Sequence, residues 1–448
     1  MSLVTKGIGF AKKVKHRFQD QIKERTPVFL SPVRRIERVA TTERICAMTF
    51  DDGPSRLPPV PDHFRGKSLT LALAETLERY GAKGTFDVVG DTSANYPDKP
   101  GKHGSASWGG VAYDHYPDFK QDEHGGAVNC PDLIARLLAG GHEITSHTYS
   151  HVLFGWKPLV YGSRKYLSGL EPVVADLRRL HALMESQWGY HIRLARPPHY
   201  VDGIRGGFTS YDAYALLGYQ YMAASFDGAG WLPLETYDAE VEATWRPMER
   251  LLLETPDAFC GQIIFQKDGC NMARRTPVAD GLDKQLQLLT DHGYRIVTVS
   301  ELLEKSPFQD VTPESGTGAA ARRLLGRGWC VAYQDNTIRP DAVLTRGELA
   351  MMSFGWETVR QRIALVRSGR APFRDLEPRH PYAAAAARAA EMGAIAAVNG
   401  RFRPNDPVTS GELAQFCSAR LGKTLDPVNR NAFTHEEFFR TVVGLLDQ

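Results

Sequence analysis

The sequence predicts an α/β chain: a barrel of about seven parallel strands, with a small all-α repeat domain at the C-terminus. Three observations lead there. Between Ile45 and Val299, short β-rich apolar runs alternate with longer helical ones, the pattern of βαβ units, and the length suits a barrel. Beyond Lys305 that alternation stops and a motif with a period in the mid-sixties takes over. At 448 residues the chain is too long for one ordinary core, so two or three domains are expected.

Residues 1–40 form a basic N-terminal segment with Lys6, Lys12, Lys13, Lys15, Arg17, Lys23, Arg25, Arg34, Arg35 and Arg38 set against few acids. No apolar h-region follows, so no secretory signal is visible. The segment reads as a solvated lead-in, with a basic helix on an anionic membrane surface as the alternative. Nothing in the chain is long and apolar enough to span a bilayer. A net charge of +2 and an ordinary apolar content give no reason to expect nucleic acid as a partner. The six cysteines are scattered without a Cys-x-x-Cys pair, which favours isolated, mostly buried thiols over a disulfide framework or structural zinc.

In the second domain, residues 41–306, strands are expected over 45–50, 85–89, 143–146, 192–195, 219–224, 262–266 and 295–299. Helices are expected over 69–80, 131–139, 170–188, 209–217, 238–254 and 281–292. Residues 91–130, rich in Gly, Pro, Ser, Asp and aromatics, leave the C-terminal end of a strand as a long loop placed to wall a cleft.

Two motifs carry the chemistry. Thr49-Phe50-Asp51-Asp52-Gly53-Pro54 ends a buried apolar run with two adjacent carboxylates, at the strand end where α/β folds gather their functional groups. His147 and His151 are four apart in His147-Thr148-Tyr149-Ser150-His151, so one helical turn would aim both imidazoles the same way. An Asp with two such histidines is a three-ligand, open-site set for a catalytic divalent metal.

This pairing resembles the NodB-homology polysaccharide deacetylases, carbohydrate esterases of family 4, from roughly Arg44 to Leu303. The resemblance implies a distorted (β/α) barrel and hydrolysis of N-acetyl or O-acetyl groups on a cell-envelope polysaccharide such as peptidoglycan or a GlcNAc polymer. It implies Asp52, His147 and His151 as ligands of zinc, with cobalt, nickel or manganese as alternatives, and Asp51 as the base beside the metal. Arg196-Pro197-Pro198-His199-Tyr200 is similar to the family's Arg-x-Pro-Pro-Tyr block, in which the Arg orients the base and a backbone N–H stabilises the oxyanion. His199 stands where the family has an aromatic. Asp227-Gly228-Ala229-Gly230-Trp231 resembles an Asp-x-x-Asp-Trp block, but Gly230 replaces the second acid; Trp231 suits an apolar wall for the acetyl methyl. The largest departure is Lys267, where the family places the His that acts as general acid. A Lys beside a metal is expected to have a depressed pKa and to donate the proton or stabilise negative charge, with His199 as the other candidate donor. Two other readings stand beside this one: a hydrolase of a small non-peptide amide or imide, and a catalytically lapsed, wall-anchored glycan-binding protein.

The third domain, residues 307–448, repeats. Phe308-Gln309-Asp310-Val311 is echoed by Phe373-Arg374-Asp375-Leu376, and the stretch 338–349 by 402–413. The units run over about 308–352 and 373–417, with a degenerate third over 424–448. Thr345 and Thr409 suit helix N-caps, with Glu348 and Glu412 three residues on as capping-box partners. The pattern resembles the S-layer homology module, which implies anchoring to a secondary cell-wall polymer and a location in the cell envelope or at the extracellular surface. Of the repeats, the first alone keeps the family's Arg, at Arg346.

Overall fold

The computed structural model describes residues 28–91, 124–151, 153–155, 166–271, 273–426 and 430–448. Most of the basic segment and of the 91–130 loop lies outside them. Nine strands form one sheet: β1 Arg35–Ile36, β2 Ile45–Asp51, β3 Thr85–Val88, β4 Glu143–Ser146, β5 Leu194–Ala195, β6 Gln220–Met222, β7 Phe226–Asp227, β8 Ile263–Lys267 and β9 Arg295–Val297. Their order is β1-β6-β5-β4-β3-β2-β8-β7, with β9 also pairing with β2, and every pairing is parallel. The sheet curls: Arg38, just past β1, makes an antiparallel bridge with Gln262 at the start of β8. The seven expected strands are all present. The two additions, β1 and β7, are two residues long, too short for a period-2 pattern to register.

Helices α1 Leu69–Arg79, α2 Pro131–Ala139, α3 Leu170–Trp188, α4 Ser210–Leu217, α5 Tyr237–Glu254, α6 Pro277–Asp291 and α7 Val299–Lys305 cover this sheet. The Ser68 side chain caps α1, and Pro occupies the first turn of α2 and α6, where its missing N–H costs nothing. On α1, Leu69, Leu73 and Leu77 recur every four residues and are fully buried, each contributing ~1.5–3 kcal/mol.

The inner face of the sheet is polar toward the C-terminal strand ends and apolar below, where Ile45, Ala47, Ile263 and Val297 cluster with Leu302. Lys267 on β8, Asp51 on β2, Asp87 on β3 and Thr145 on β4 lie in one row of register. Two residues lower, Thr85 on β3 pairs in register with Glu143 on β4. The Glu143 carboxylate accepts from the Thr85 hydroxyl (2.9 Å) and from the Ser300 backbone N–H (3.1 Å), which plugs the N-terminal end of the barrel. Thr85 with Glu143 and Thr145 with Asp87 Oδ1 satisfy each other, while Asp51 and Lys267 find partners in Arg196 and Asp52.

The C-terminal region is helical: α8 Gly316–Gly326, α9 Arg346–Phe354, α10 Val359–Ser368, α11 Ala383–Glu391, α12 Ser410–Phe416 and α13 His435–Leu446. Capping boxes form at Thr345–Glu348 and Thr409–Glu412, and a third forms in the degenerate repeat at Thr434–Glu437. The three turns meet: Leu344 N–H donates to Phe433 O (2.7 Å) and Val408 N–H to Leu344 O (3.0 Å). Arg346 is buried between repeats, donating to Phe402 O (2.9 Å) and Ala396 O (2.6 Å) and pairing with Glu412.

Residues 29–40 lace the helical region to the barrel. Leu30 packs in the helical core and its N–H donates to the Tyr382 hydroxyl (3.1 Å). The buried Arg34 guanidinium donates to Pro307 O (2.9 Å) and Asn336 Oδ1 (3.0 Å), while β1, next along, pairs with β6. On the other side of the seam, Ile363 and Val366 of α10 pack into the barrel core and Arg362 pairs with Asp212 at 2.7 Å.

Arg34→Ala should therefore lower the thermal midpoint of the whole chain, because it leaves two buried acceptors without a donor at a cost of about 1–3 kcal/mol. Arg38→Ala, on an exposed side chain, should change stability by less than about 0.5 kcal/mol. A second prediction concerns acid. Burial works against ionisation of Glu348, but hydrogen bonds from His435, Tyr333 and Thr345 N outweigh it and hold the carboxyl down at about 2. Its stabilisation is then full above the unfolded value of about 4.3 and lost as pH falls toward 2, at most about 3 kcal/mol. Melting curves between pH 5 and pH 2 should fall more steeply for the natural chain than for Glu348→Gln.

Candidate active site

The C-terminal end of β2 sets the site. Asp51, the last strand residue, points into the barrel, where its carboxylate meets the guanidinium of Arg196. Arg196 is fully buried just after β5 and is held by Thr49 Oγ1 (3.0 Å), Ala223 O (3.2 Å) and Met222 O (3.3 Å). Asp52 then takes φ = 80°, a conformation that costs a non-glycine residue about 1 kcal/mol or more, and this turns its carboxylate away from Asp51's partners. Gly53 has to follow: a Cβ there would run into the buried Asp268 carboxylate.

Asp52 Oδ1 lies 3.2 Å from His147 Nε2 and 3.1 Å from His151 Nε2, and the two rings are 5.0 Å apart. The expected trio is assembled, though not by a helical turn. His147–His151 is an irregular loop after β4, with Thr148 at φ = 74° and His151 at φ = 54°. Asp176 on α3 ties that loop down, accepting from Tyr149 N–H (2.8 Å) and from the Ser150 hydroxyl. Asp87 on β3 orients His147: Nδ1 lies 2.8 Å from Asp87 Oδ2 and 3.0 Å from Arg196 O, so Nε2 is left to face Asp52. Neither Asp87 nor Asp176 was singled out from sequence. Asp87 had a sequence sign, the same Thr-Phe-Asp strand ending as Asp51; Asp176 had none.

The electrostatics suit a cation. Burial alone would lower the His147 pKa, but Asp87, Asp51 and Asp52 raise it to about 10. Asp51 is pushed up to about 6 by burial, against the pull of Arg196 and His147. Asp268, buried and hydrogen-bonded to Thr70 Oγ1 (2.6 Å), is pushed up to about 7. Three carboxylates around two imidazoles form a donor set that attracts a divalent ion, and the residues fit one.

Lys267, in register with Asp51, places its ammonium on Asp52 Oδ2. The expected depression of its pKa is not seen in this arrangement. Burial acts downward, but direct contact with Asp52 outweighs it and the shift is upward. Gly230 is explained by packing, since a Cβ there would strike Val278, so that no acid fits. Trp231 is half-buried, its Nε1 donating to exposed Asp227 (2.9 Å). His199, exposed at φ = 55°, lies with its ring 6.0 Å from that of His151. Tyr200 sits between Arg35 and Arg196, each guanidinium 5.5 Å from its ring. The six cysteines are all free, and no helix among the described residues is long and apolar enough to cross a membrane.

The curled parallel sheet and its Asp52, His147 and His151 rim accord with the polysaccharide deacetylase class of hydrolase, to which its relatives belong. Residues 38–207 match the polysaccharide deacetylase family and residues 372–414 the S-layer homology domain, so the chain carries a polysaccharide deacetylase domain followed by an S-layer homology domain. It is 26% identical over 268 residues to a peptidoglycan-N-acetylglucosamine deacetylase of Bacillus cereus, covering 59% of this chain and 91% of that one. To the peptidoglycan-N-acetylmuramic acid deacetylase PdaC of Bacillus subtilis it is 23% identical over 291 residues, 65% of this chain but 45% of the relative. Among solved structures, the chitin deacetylase of Colletotrichum lindemuthianum superposes with TM-score 0.41 at 20% identity, over 63% of this chain and 95% of that one.

His151→Ala should remove one equivalent of bound Co²⁺ in equilibrium dialysis. Asp87→Asn should weaken that equivalent ~10–100-fold, since it frees the imidazole that Asp87 orients. Unchanged uptake in both variants would overturn the assignment.

Proposed function

We propose that this protein is a metal-dependent deacetylase of N-acetylated, or O-acetylated, cell-envelope glycan, held at the wall through its helical repeats. The observation that carries the reading is one carboxylate facing two imidazoles beside a second carboxylate braced by a buried Arg. A divalent ion held by Asp52, His147 and His151, zinc first, with cobalt, nickel or manganese as alternatives, would polarise the acetyl carbonyl and acidify water there. Asp51, beside that ion and braced by Arg196, would take the proton as general base. Arg196 fixes the orientation of Asp51 through a charge-assisted pair. The backbone turn at His199 and Tyr200 lies beside His151, where an oxyanion would form. Trp231, positioned by Asp227, provides an apolar wall for the methyl group. Peptidoglycan is the leading substrate because the relatives at 22–26% identity act on it by name. Since Arg346 is buried between repeats, contact with a wall polymer falls to other side chains of the helical region.

Lys267 supports two roles that one experiment separates. As proton donor to the leaving amine it replaces the family's His. As a cation on Asp52 Oδ2 it offsets ligand charge and loosens the metal. Its presence, with Val278 filling the place of the second acid, also favours the alternative of a lapsed, glycan-binding protein.

Acetate release from chitooligosaccharides and peptidoglycan fragments should be measurable and fall ~10²–10⁴-fold in Asp51→Asn. Glycan binding without acetate release would select the lapsed reading, and release only from small amides the other. Lys267→Met should bind Co²⁺ more tightly than the natural chain. As donor, its loss should also lower kcat by ~10²–10⁴ on N-acetyl substrates and spare an activated aryl acetate. If His199→Ala shows that selectivity instead, His199 is the donor. Lys267→His should restore little, because Val278 leaves no room for the acid that would support the new imidazole.

A further inference from the structure

A second cluster of metal-ligating side chains lies away from the Asp52 site. His181 and Glu185 stand one turn apart on α3, so they share a face of that helix. The helix ends at Gly189, which adopts φ = 62°, and the chain turns back so that His191 comes over the helix end. One ligand atom from each of the three residues falls within 4.8 Å of the others. His191 Nδ1 lies 3.7 Å from Glu185 Oε1, and the His181 and His191 rings are 5.9 Å apart.

Two further features hold this cluster in shape. His181 Nδ1 is hydrogen-bonded at 2.8 Å to the hydroxyl of Tyr219, a fully buried residue, which leaves Nε2 as the atom facing outward. A partner on the inner nitrogen is the usual way a protein orients a ligating imidazole. The turn that carries His191 is pinned as well: the Tyr190 hydroxyl accepts from Ile144 N–H and donates to Ile144 O, both at 3.1 Å. Ile192, next along, is buried as the chain enters β5. His191 and Glu185 are more than half exposed, open to an ion from solvent.

We propose that His181, Glu185 and His191 form a second, peripheral site for a first-row divalent ion of the zinc or cobalt type, independent of the acetyl chemistry. Two imidazoles and one carboxylate match the nitrogen and oxygen preference of such ions, with water completing the shell. The site lies where the chain enters β5, at the end of the parallel sheet opposite Asp52. An ion there clips the C-terminus of α3 to the start of β5 and stabilises the fold by mass action.

The test uses the full chain with Co²⁺ alone as the probe, read by equilibrium dialysis and by visible absorption. The natural chain should bind two equivalents, and His147→Ala/His151→Ala should retain one. Adding His191→Ala to that variant should abolish the remaining equivalent together with the Co²⁺-dependent rise in thermal midpoint. Tyr219→Phe in the same background should weaken it about 10-fold by releasing His181. Should the His147→Ala/His151→Ala variant fail to fold, the single variant His191→Ala, at an exposed position, should bind one equivalent where the natural chain binds two. Retention of the second equivalent after His191→Ala, or the absence of any second equivalent in the natural chain, would overturn the proposal.

Discussion

Asp51 and Asp52 are adjacent carboxylates at a buried strand end, and two such charges in one environment would force one of them to take up a proton. The chain separates them by geometry. Strand alternation sends Asp51 inward to Arg196, and the positive φ at Asp52 swings its carboxylate outward to two imidazoles and a lysine. Each then has a counter-charge of its own, Arg196 for Asp51 and Lys267 for Asp52, and His147 faces both. Arg196 is locked by two carbonyls and a threonine hydroxyl, His147 is backed by Asp87, and the His147–His151 loop hangs from Asp176. Backbone strain at Asp52, Thr148 and His151 is tolerated because these bonds over-determine the conformation.

The polar end of the sheet's inner face carries the same constraint sideways. Parallel register aligns Lys267, Asp51, Asp87 and Thr145 across four strands, so this row is set by rigid elements, while Asp52, His147 and His151 sit on the loops that follow the strands. Below it, the hydrogen bonds of Glu143, Thr85 and Ser300 stand beside a small buried apolar cluster that includes Ile45, Ala47, Ile263, Val297 and Leu302. The larger apolar core lies between the sheet and its helices. The departures from the resembled family fall both in that row, at Lys267, and beside it, at Gly230.

What the sequence disclosed was local. Strand runs, helix spans and capping boxes follow from patterns a few residues long, and the structure reproduces them, down to α2 over 131–139 and α3 over 170–188. The pairing of Asp52 with His147 and His151 was also legible, because strand ends in a parallel sheet converge whatever the loops do. The loop carrying the histidines was not, since spacing of four suits a helix and an irregular turn alike. Nor were Asp87, Asp176 and Tyr219, whose roles rest on partners in other elements. The basic lead-in was read as solvated on its charge, yet Leu30 and Arg34 are buried there by contacts with residues some three hundred positions away.

That lacing has a consequence for how the chain is made. Leu30 is 352 residues from its hydrogen-bond partner Tyr382. At ribosomal rates of ~5–20 residues per second, roughly 20–70 s pass between the synthesis of the two. The barrel is complete in sequence once Lys305 is made, before Tyr382, yet Leu30 still has no seat. Its apolar side chain is available to anything that binds extended chain, and the strap closes only when the helical region emerges. Assembly is therefore vectorial for this segment: Leu30, made early, is among the last residues to find its place.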